Sequence, residues 1–271
     1  MKKKFLSITF MVGLLVALLA ACGTGANEGA EQGTTNGNGE QAESGKKLVM
    51  GTSADYPPFE YIDTKQGGDI IGFDIDLVNY IAKELGYEIE IKDIAFDGLI
   101  GALQADRVDF VASSMSATEE RAKNVDFSVT YYTSGEMIIV RKGDGLEKVE
   151  DLVGKKVAVQ LGSIQEGTAE SLKEELGDLE VVKLNKVPEL IQELKSNRID
   201  GVILDQTVAE GYVNQFDDLT GIQLAVDAAG TAIAFPKGSE LVEEFNGVIE
   251  KMKENGELDK LVQKWLAGEG Q

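Results

Sequence analysis

Of 271 residues, 47 are acidic and 26 basic, which gives a formal net charge of −21. Such a chain has little with which to neutralise phosphates, and this argues against nucleic acid as a partner. Histidine is absent and Cys22 is the single cysteine, so Ser-His, Cys-His and histidine–metal arrangements are excluded.

The chain opens with Lys2, Lys3 and Lys4, followed by an uncharged, mostly apolar stretch from Phe5 that ends in Leu19-Ala20-Ala21-Cys22. A basic start, an apolar run short for a membrane span and small residues before a lone cysteine predict a lipoprotein signal peptide over 1–21. Cys22 is then the acylated first residue of an exported protein, and its lipid the anchor to the outer face of the cell membrane. Without the three lysines the balance is 23 basic against 47 acidic residues, or −24. Residues 22–45 hold no aromatic and no large aliphatic side chain. They cannot bury enough apolar surface to offset their ordering entropy, so a flexible tether is expected.

The folded body is expected from Lys46. Lys47-Leu48-Val49-Met50-Gly51 reads as a strand ending in Thr52 and Ser53. Next comes the loop Ala54 to Glu60, where Pro57 and Pro58 exclude helix. Phe73, Leu77, Val78, Ile81, Ala82 and Leu85 are spaced as one helix face, with Gly86 as its stop. A strand at Ile89–Ile91, a helix around Phe96 to Ala105 and a strand at Val108–Ala112 follow, leading into Ser113-Ser114-Met115-Ser116.

The plan then recurs. Leu99-Ile100-x-x-Leu103-x-x-x-Arg107-Val108-Asp109-x-Val111 returns as Leu190-Ile191-x-x-Leu194-x-x-x-Arg198-Ile199-Asp200-x-Val202, and Glu84-Leu85-Gly86 as Glu175-Leu176-Gly177. In the second copy Lys156–Val159 is the first strand, Gly162–Glu166 the loop, and Gly201–Leu204 the strand into Asp205. Two copies of one α/β unit predict two lobes, each a mostly parallel sheet flanked by helices, facing across a cleft. Glu136–Arg141 and Gly230–Phe235 read as strands crossing between them. The expected division is 46–137 plus 232–271 for lobe one and 138–231 for lobe two. The two-strand hinge is expected near 137–141 and 230–234.

Ligands of open parallel sheets bind beyond the carboxyl ends of the strands. Aligning the copies puts Ser114 and Asp205 at equivalent strand ends. Ser114 and Ser116 offer hydroxyls and amides, Arg121 a fork suited to a carboxylate, and Asp205 an anion suited to an ammonium. Together they describe an α-amino acid zwitterion. Each residue also has a purely structural reading. Asp205 can cap a helix, Arg121 can pair on the surface after Thr118-Glu119-Glu120, and Tyr56 and Phe96 can be core aromatics. Asp74 and Asp76 can serve a helix N-terminus. Asp63 to Asp74 lacks most oxygen ligands of a calcium loop. No metal, cofactor or catalytic set is expected.

Ser53-Ala54-Asp55-Tyr56-Pro57-Pro58-Phe59-Glu60, Gly72-Phe73-Asp74-Ile75-Asp76-Leu77, Ser113 through Arg121 and Asn255-Gly256-Glu257-Leu258…Lys264-Trp265 resemble the polar amino-acid solute-binding proteins of ABC importers. The resemblance runs from Lys46 to Leu266. Val159 to Glu166 resembles the arginine-binding lipoproteins of Gram-positive bacteria. It implies a two-lobed periplasmic-binding-protein-like fold and a receptor delivering its ligand to a permease with a cytoplasmic ATPase; a monomer is the default expectation. By motif, Tyr56 and Phe96 would sandwich the ligand side chain, where a guanidinium gains cation–π attraction. Ser114, Ser116 and Arg121 would hold the α-carboxylate, with Met115 in the same loop and Ser163 and Ile164 helping from lobe two. Asp205 would take the ammonium, while Asp74, Gln160 and Gln165 would face the distal end. Many relatives are acidic where this chain has Ser53, which removes one partner for a cationic side chain. Some relatives resemble dehydratases acting on cyclic carboxylates, and a sensor or adhesin module is a further alternative.

Overall fold

In the computed structural model the residues described are 46–65 and 67–267; the expected signal peptide, the expected tether and Cys22 lie outside them. Two five-stranded sheets carry the fold. In the first, Lys46–Thr52 runs parallel to Tyr87–Asp93 on one side and Phe110–Val111 on the other. Ala234–Phe235 pairs antiparallel with Phe110–Val111 and with Asp126–Phe127. The second sheet repeats this order. Lys155–Gln160 is parallel to Leu179–Leu184 and Gly201–Asp205, and Glu136–Arg141 is antiparallel to Gly201–Asp205 and Leu219–Gln223. Four strands of each sheet thus point one way and one points back.

The reversed strand of each sheet is the one that arrives from the other half of the chain. Glu136–Arg141 enters the second sheet from upstream, and Ala234–Phe235 enters the first from downstream. On the way the two crossing segments pair with each other, Tyr132–Ser134 against Ala229–Thr231. The paired stretch on the first crossing therefore precedes 137–141, which is built into the second sheet.

The repeated Arg-x-Asp has a structural job in both copies. Asp109 accepts the Val49 N–H at 2.6 Å while its own N–H donates to the Val49 carbonyl; Asp200 does the same with Lys156, at 2.9 Å to the side chain. Each aspartate ties the strand of its copy to the first strand of its sheet. The helix Phe73–Leu85 buries Phe73, Leu77, Val78, Ile81 and Ala82, and Gly86 ends it at φ 74°. The helix expected around Phe96 to Ala105 is a 3₁₀ turn, Phe96–Gly98, continued by an α-helix, Leu99–Gln104. The C-terminal helices Leu241–Asn255 and Glu257–Trp265 return to the first sheet. Phe245 packs its ring 5.1 Å from Phe110 and 5.2 Å from Phe235, and the Trp265 indole donates to Asp76 at 2.8 Å. Among the described residues no helix is long and apolar enough to cross a membrane.

One glycine decides how the first helix meets the loop before it. Gly72 sits at φ 138°, and a Cβ there would lie 2.1 Å from the Phe59 carbonyl oxygen. That carbonyl accepts the Asp74 N–H at 2.9 Å, so neither side can move without losing the junction. Gly72→Ala is expected to cost roughly 3 kcal/mol or more, from backbone strain and a clash with main chain. Urea unfolding would read this as a lower midpoint; a midpoint equal to wild type would show the junction to be adjustable.

Candidate ligand-binding cleft

The carboxyl ends of the parallel strands in both sheets open on one narrow cleft between the two halves. Ser53, Tyr56, Phe96, Ser114, Ser116 and Arg121 line it from the first-sheet half. Gln160, Ser163, Ile164, Gln165 and Asp205 line it from the second. Contacts cross between the halves: the Asp205 N–H donates to the Tyr56 hydroxyl at 3.0 Å, Arg121 Nη2 donates to the Gly162 carbonyl at 2.9 Å, and Gln160 Nε2 donates to Asp55 Oδ1 at 3.3 Å.

Arg121 begins a 3₁₀ turn, Arg121–Lys123, and points back into the cleft rather than out to a surface partner. Nη1 donates to the Ser116 carbonyl at 2.8 Å, and the guanidinium lies 5.4 Å from the Phe96 ring centre. Two of its five N–H groups meet backbone carbonyls, which leaves three for an anion. Burial lowers its pKa to about 10, so it stays a cation at neutral pH. Opposite stands the start of the helix Ile164–Leu176, preceded by Ser163, whose hydroxyl donates to the Gln160 carbonyl at 2.7 Å and leaves the helix start uncapped by a side chain. Its first-turn amides have no partner within the helix, and the helix dipole adds positive potential there.

Asp205 serves both roles that its position allows. It caps the helix Gln206–Gln215, accepting the Thr207 N–H at 2.8 Å, and it lines the cleft. The Ser134 hydroxyl, from the crossing strand, donates to Oδ1 at 3.0 Å. Burial pushes the carboxyl up to about 6, because no cation faces it to offset the desolvation.

Two expected site residues sit behind the wall instead. Asp74 is fully buried and accepts the Ser114 N–H at 2.7 Å and the Tyr131 hydroxyl at 2.8 Å. Ser114 has φ 45°, a conformation uncommon outside glycine, and the Asp74 contact holds it there. Asp74 therefore shapes the serine loop and does not face a ligand's distal end. Its carboxyl is raised to about 6 by burial. Met115 is turned into the core of the first half, and its carbonyl accepts the Ala232 N–H at 3.0 Å.

Asp55, Glu60, Ser113, Ser134 and Gly135 also line the cleft, and sequence reasoning had assigned none of them to it. Asp55–Tyr56 and Glu60–Ile62 form a tight antiparallel pair, with Tyr56 opposite Glu60, so both ends of the proline loop face the site. The signal was present in the motif: two acids flank Tyr56-Pro57-Pro58-Phe59, two and seven residues after Ser53. Glu60 Oε1 accepts from the Ser113 hydroxyl at 3.1 Å, and its buried carboxyl lies beside that of Asp74, close enough for the two to share a proton. Burial, then the neighbouring Asp74 charge, holds the Glu60 carboxyl well above the ordinary range. Nothing in their local sequence marks Ser134 and Gly135, which enter through the strand exchange.

The lining thus holds three carboxyl groups, on Asp55, Glu60 and Asp205, and one guanidinium, that of Arg121, with the Lys186 ammonium 3.3 Å from Asp55 at the rim. Residues 48–268 match the bacterial extracellular solute-binding proteins, family 3. The chain belongs to that family. It is 49% identical over 232 residues to the arginine-binding extracellular protein ArtP of Bacillus subtilis, covering 84% of this chain and 89% of that protein. An ancestral arginine-binding protein bound to arginine superposes with a TM-score of 0.77 at 42% identity, covering 82% of this chain and 99% of the other. The amino-acid ABC transporter substrate-binding protein AbpA of Streptococcus pneumoniae, bound to L-arginine, gives 0.75 at 40% identity, over 80% and 93%. Family 3 is a family of solute-binding proteins, and the described residues hold no cluster of three or more metal-ligating side chains.

Proposed function

We propose that this protein is the extracellular receptor of an ABC importer for a cationic L-amino acid, arginine foremost. The observation that carries this reading is the excess of carboxylates in the cleft. A zwitterion uses Arg121 and Asp205, which leaves Glu60, and Asp55 with only Lys186 at the rim as its counter-charge, to face the ligand's distal end. A cationic side chain supplies the missing charge, since buried carboxylates demand a partner or a proton. The absence of an acid at Ser53 is thereby made good two residues later, at Asp55.

In this reading Arg121, the hydroxyls of Ser114 and Ser116 and the first-turn amides of Ile164 and Gln165 hold the α-carboxylate. Asp205 takes the ammonium, with Ser134 orienting it. Tyr56 and Phe96 flank the aliphatic stem and the charged tip, where ring faces attract cations. Asp55 and Glu60, with Gln160 and Gln165, receive the distal group. Asp74 and Met115 position the serine loop. Lobe one, 46–137 with 232–271, and lobe two, 138–231, close about the crossing strands to trap the ligand. Cys22 carries the lipid and residues 22–45 the tether that keep the receptor beside its permease.

The test is thermal unfolding of the soluble body, residues 46–271, with each of the twenty amino acids at millimolar concentration. A ligand at a thousandfold excess over its Kd stabilises by roughly 4 kcal/mol, which is a rise of several degrees in Tm for a body of this size. The largest rise is expected with arginine and a smaller one with lysine. A flat response to all twenty would refute the receptor reading, and a response to glutamine or glutamate alone would refute the cationic preference.

A further inference from the structure

A second cation, at the rim, reaches a carboxyl of the cleft, and nothing in the recognition of a zwitterion uses it. Lys186 lies just ahead of the helix Val187–Lys195, in the second-sheet half. Its ammonium crosses to the first-sheet half and stands 3.3 Å from Asp55 Oδ2 and 3.4 Å from Asp93 Oδ1. The lysine side chain is 32% exposed and that of Asp55 only 6%, so a charge at the rim acts on a carboxylate inside. Among the described residues Lys186 is the one lysine or arginine within ion-pair distance of Asp55.

The remaining partners of Asp55 are neutral. Ser53 Oγ and Gln160 Nε2 each donate to Oδ1 at 3.3 Å. Asp93, beside it, accepts the Ala54 N–H at 3.0 Å. Burial raises the Asp55 carboxyl above its ordinary value, and the Lys186 charge is the strongest influence drawing it back.

We propose that Lys186 is a specificity-determining residue: it stands in for a ligand's positive side chain, so that the cleft closes over neutral amino acids as well as cationic ones. With a cationic ligand, Asp55 is neutralised twice over, by the ligand and by Lys186. With a neutral ligand of the same shape, Lys186 is its sole counter-charge. Removing Lys186 therefore penalises the neutral ligand and spares the cationic one. A mere clamp between the halves would instead weaken both ligands by the same factor, and the selectivity ratio separates these cases.

The inference rests on the amino-acid reading above, and its test is calorimetric titration with arginine and with citrulline, in which an uncharged ureido group replaces the guanidinium. In Lys186→Met, which keeps the aliphatic stem, the ratio of citrulline Kd to arginine Kd is expected to rise by roughly tenfold or more. Lys186→Arg, which keeps the charge, should hold the wild-type ratio. Equal loss for both ligands in Lys186→Met, or no loss for either, would overturn the proposal while leaving the receptor reading intact. Arginine binding by wild type with no citrulline binding at millimolar concentration would also overturn it, because Lys186 would then serve no neutral ligand. Wild type binding neither ligand would refute the amino-acid reading and this inference with it.

Discussion

Arg121→Ala is expected to abolish binding at micromolar ligand, with the fold retained. The guanidinium lies in a cleft it shares with the first turn of the helix Ile164–Leu176, and two of its N–H groups are engaged by the Ser116 and Gly162 carbonyls. That leaves a pre-oriented fork for a carboxylate. Truncating one side of a buried, hydrogen-bonded charge pair costs roughly 2–5 kcal/mol, or about thirtyfold to several-thousandfold in Kd at 1.4 kcal/mol per decade. Arg121→Lys should recover little of this, because a point charge on a flexible stem neither stacks on Phe96 nor spans two oxygens. The loss also reaches closure, since the Gly162 contact joins the two halves. Calorimetry reads the first effect, and a far-ultraviolet spectrum with an unchanged melting curve establishes that the fold survived. Binding within about threefold of wild type would remove Arg121 from the site.

Asp205→Asn separates two functions that one side chain performs. Asparagine caps a helix about as well as aspartate, so the helix Gln206–Gln215 keeps the Thr207 hydrogen bond that Asp205 makes at 2.8 Å. Only the charge is lost. Affinity for an ammonium ligand is expected to fall by roughly a hundredfold or more, from the same charge-pair cost. The ligand-free protein should be no less stable, because burial already holds this carboxyl up at about 6.

The pH dependence follows from the same displacement. A ligand ammonium binds the carboxylate form, so wild-type affinity should fall as pH drops through about 6, by at most tenfold per unit. Stability of the ligand-free protein should move the other way. A folded-state pKa above the unfolded value means that the folded protein binds protons more readily, so its stability rises as pH falls from 7 through 6. Asp74, also raised to about 6, adds to that second trend and not to the first, since it faces the serine loop and not the cleft. In Asp205→Asn the fall in affinity from pH 7 to 5 should become shallower, with Glu60, also raised and in the cleft, carrying what remains, while part of the stability trend persists. An unflattened affinity profile would place the titrating ligand contact on another residue.

Periodicity was enough to read the fold, because it reports which faces must leave water. The apolar spacing from Phe73 to Leu85 and the glycine after it have one economical solution, a helix with a left-handed stop, and the structure contains it. The duplicated Arg-x-Asp was legible for a related reason: each aspartate bonds the first strand of its own sheet, so the motif marks a unit that builds itself locally. The lining of the cleft was legible where a residue stands at a strand end, as for Ser114 and Asp205. It was not legible where function depends on a partner far along the chain. Asp74 and Asp55 are both acids near the start of the first half, and nothing local separates the one that ends behind the wall from the one that ends inside the cleft. The reversal of the chain at Tyr56–Glu60 and the depth of the first helix make that choice.

By itself the sequence determined that this chain forms two copies of an α/β unit and that serines and an aspartate follow strand ends facing a common gap, with an arginine further along the first loop. These are consequences of side-chain alternation and spacing, which act over a few residues. The tertiary structure alone decided that the charges in that gap sum to an acidic site, with Asp55 and Glu60 inside and Lys186 arriving from the far half. Electrostatic balance in a buried cleft depends on distance through space and on exclusion of water. Both quantities come into being only when the chain crosses from one sheet to the other and closes on itself.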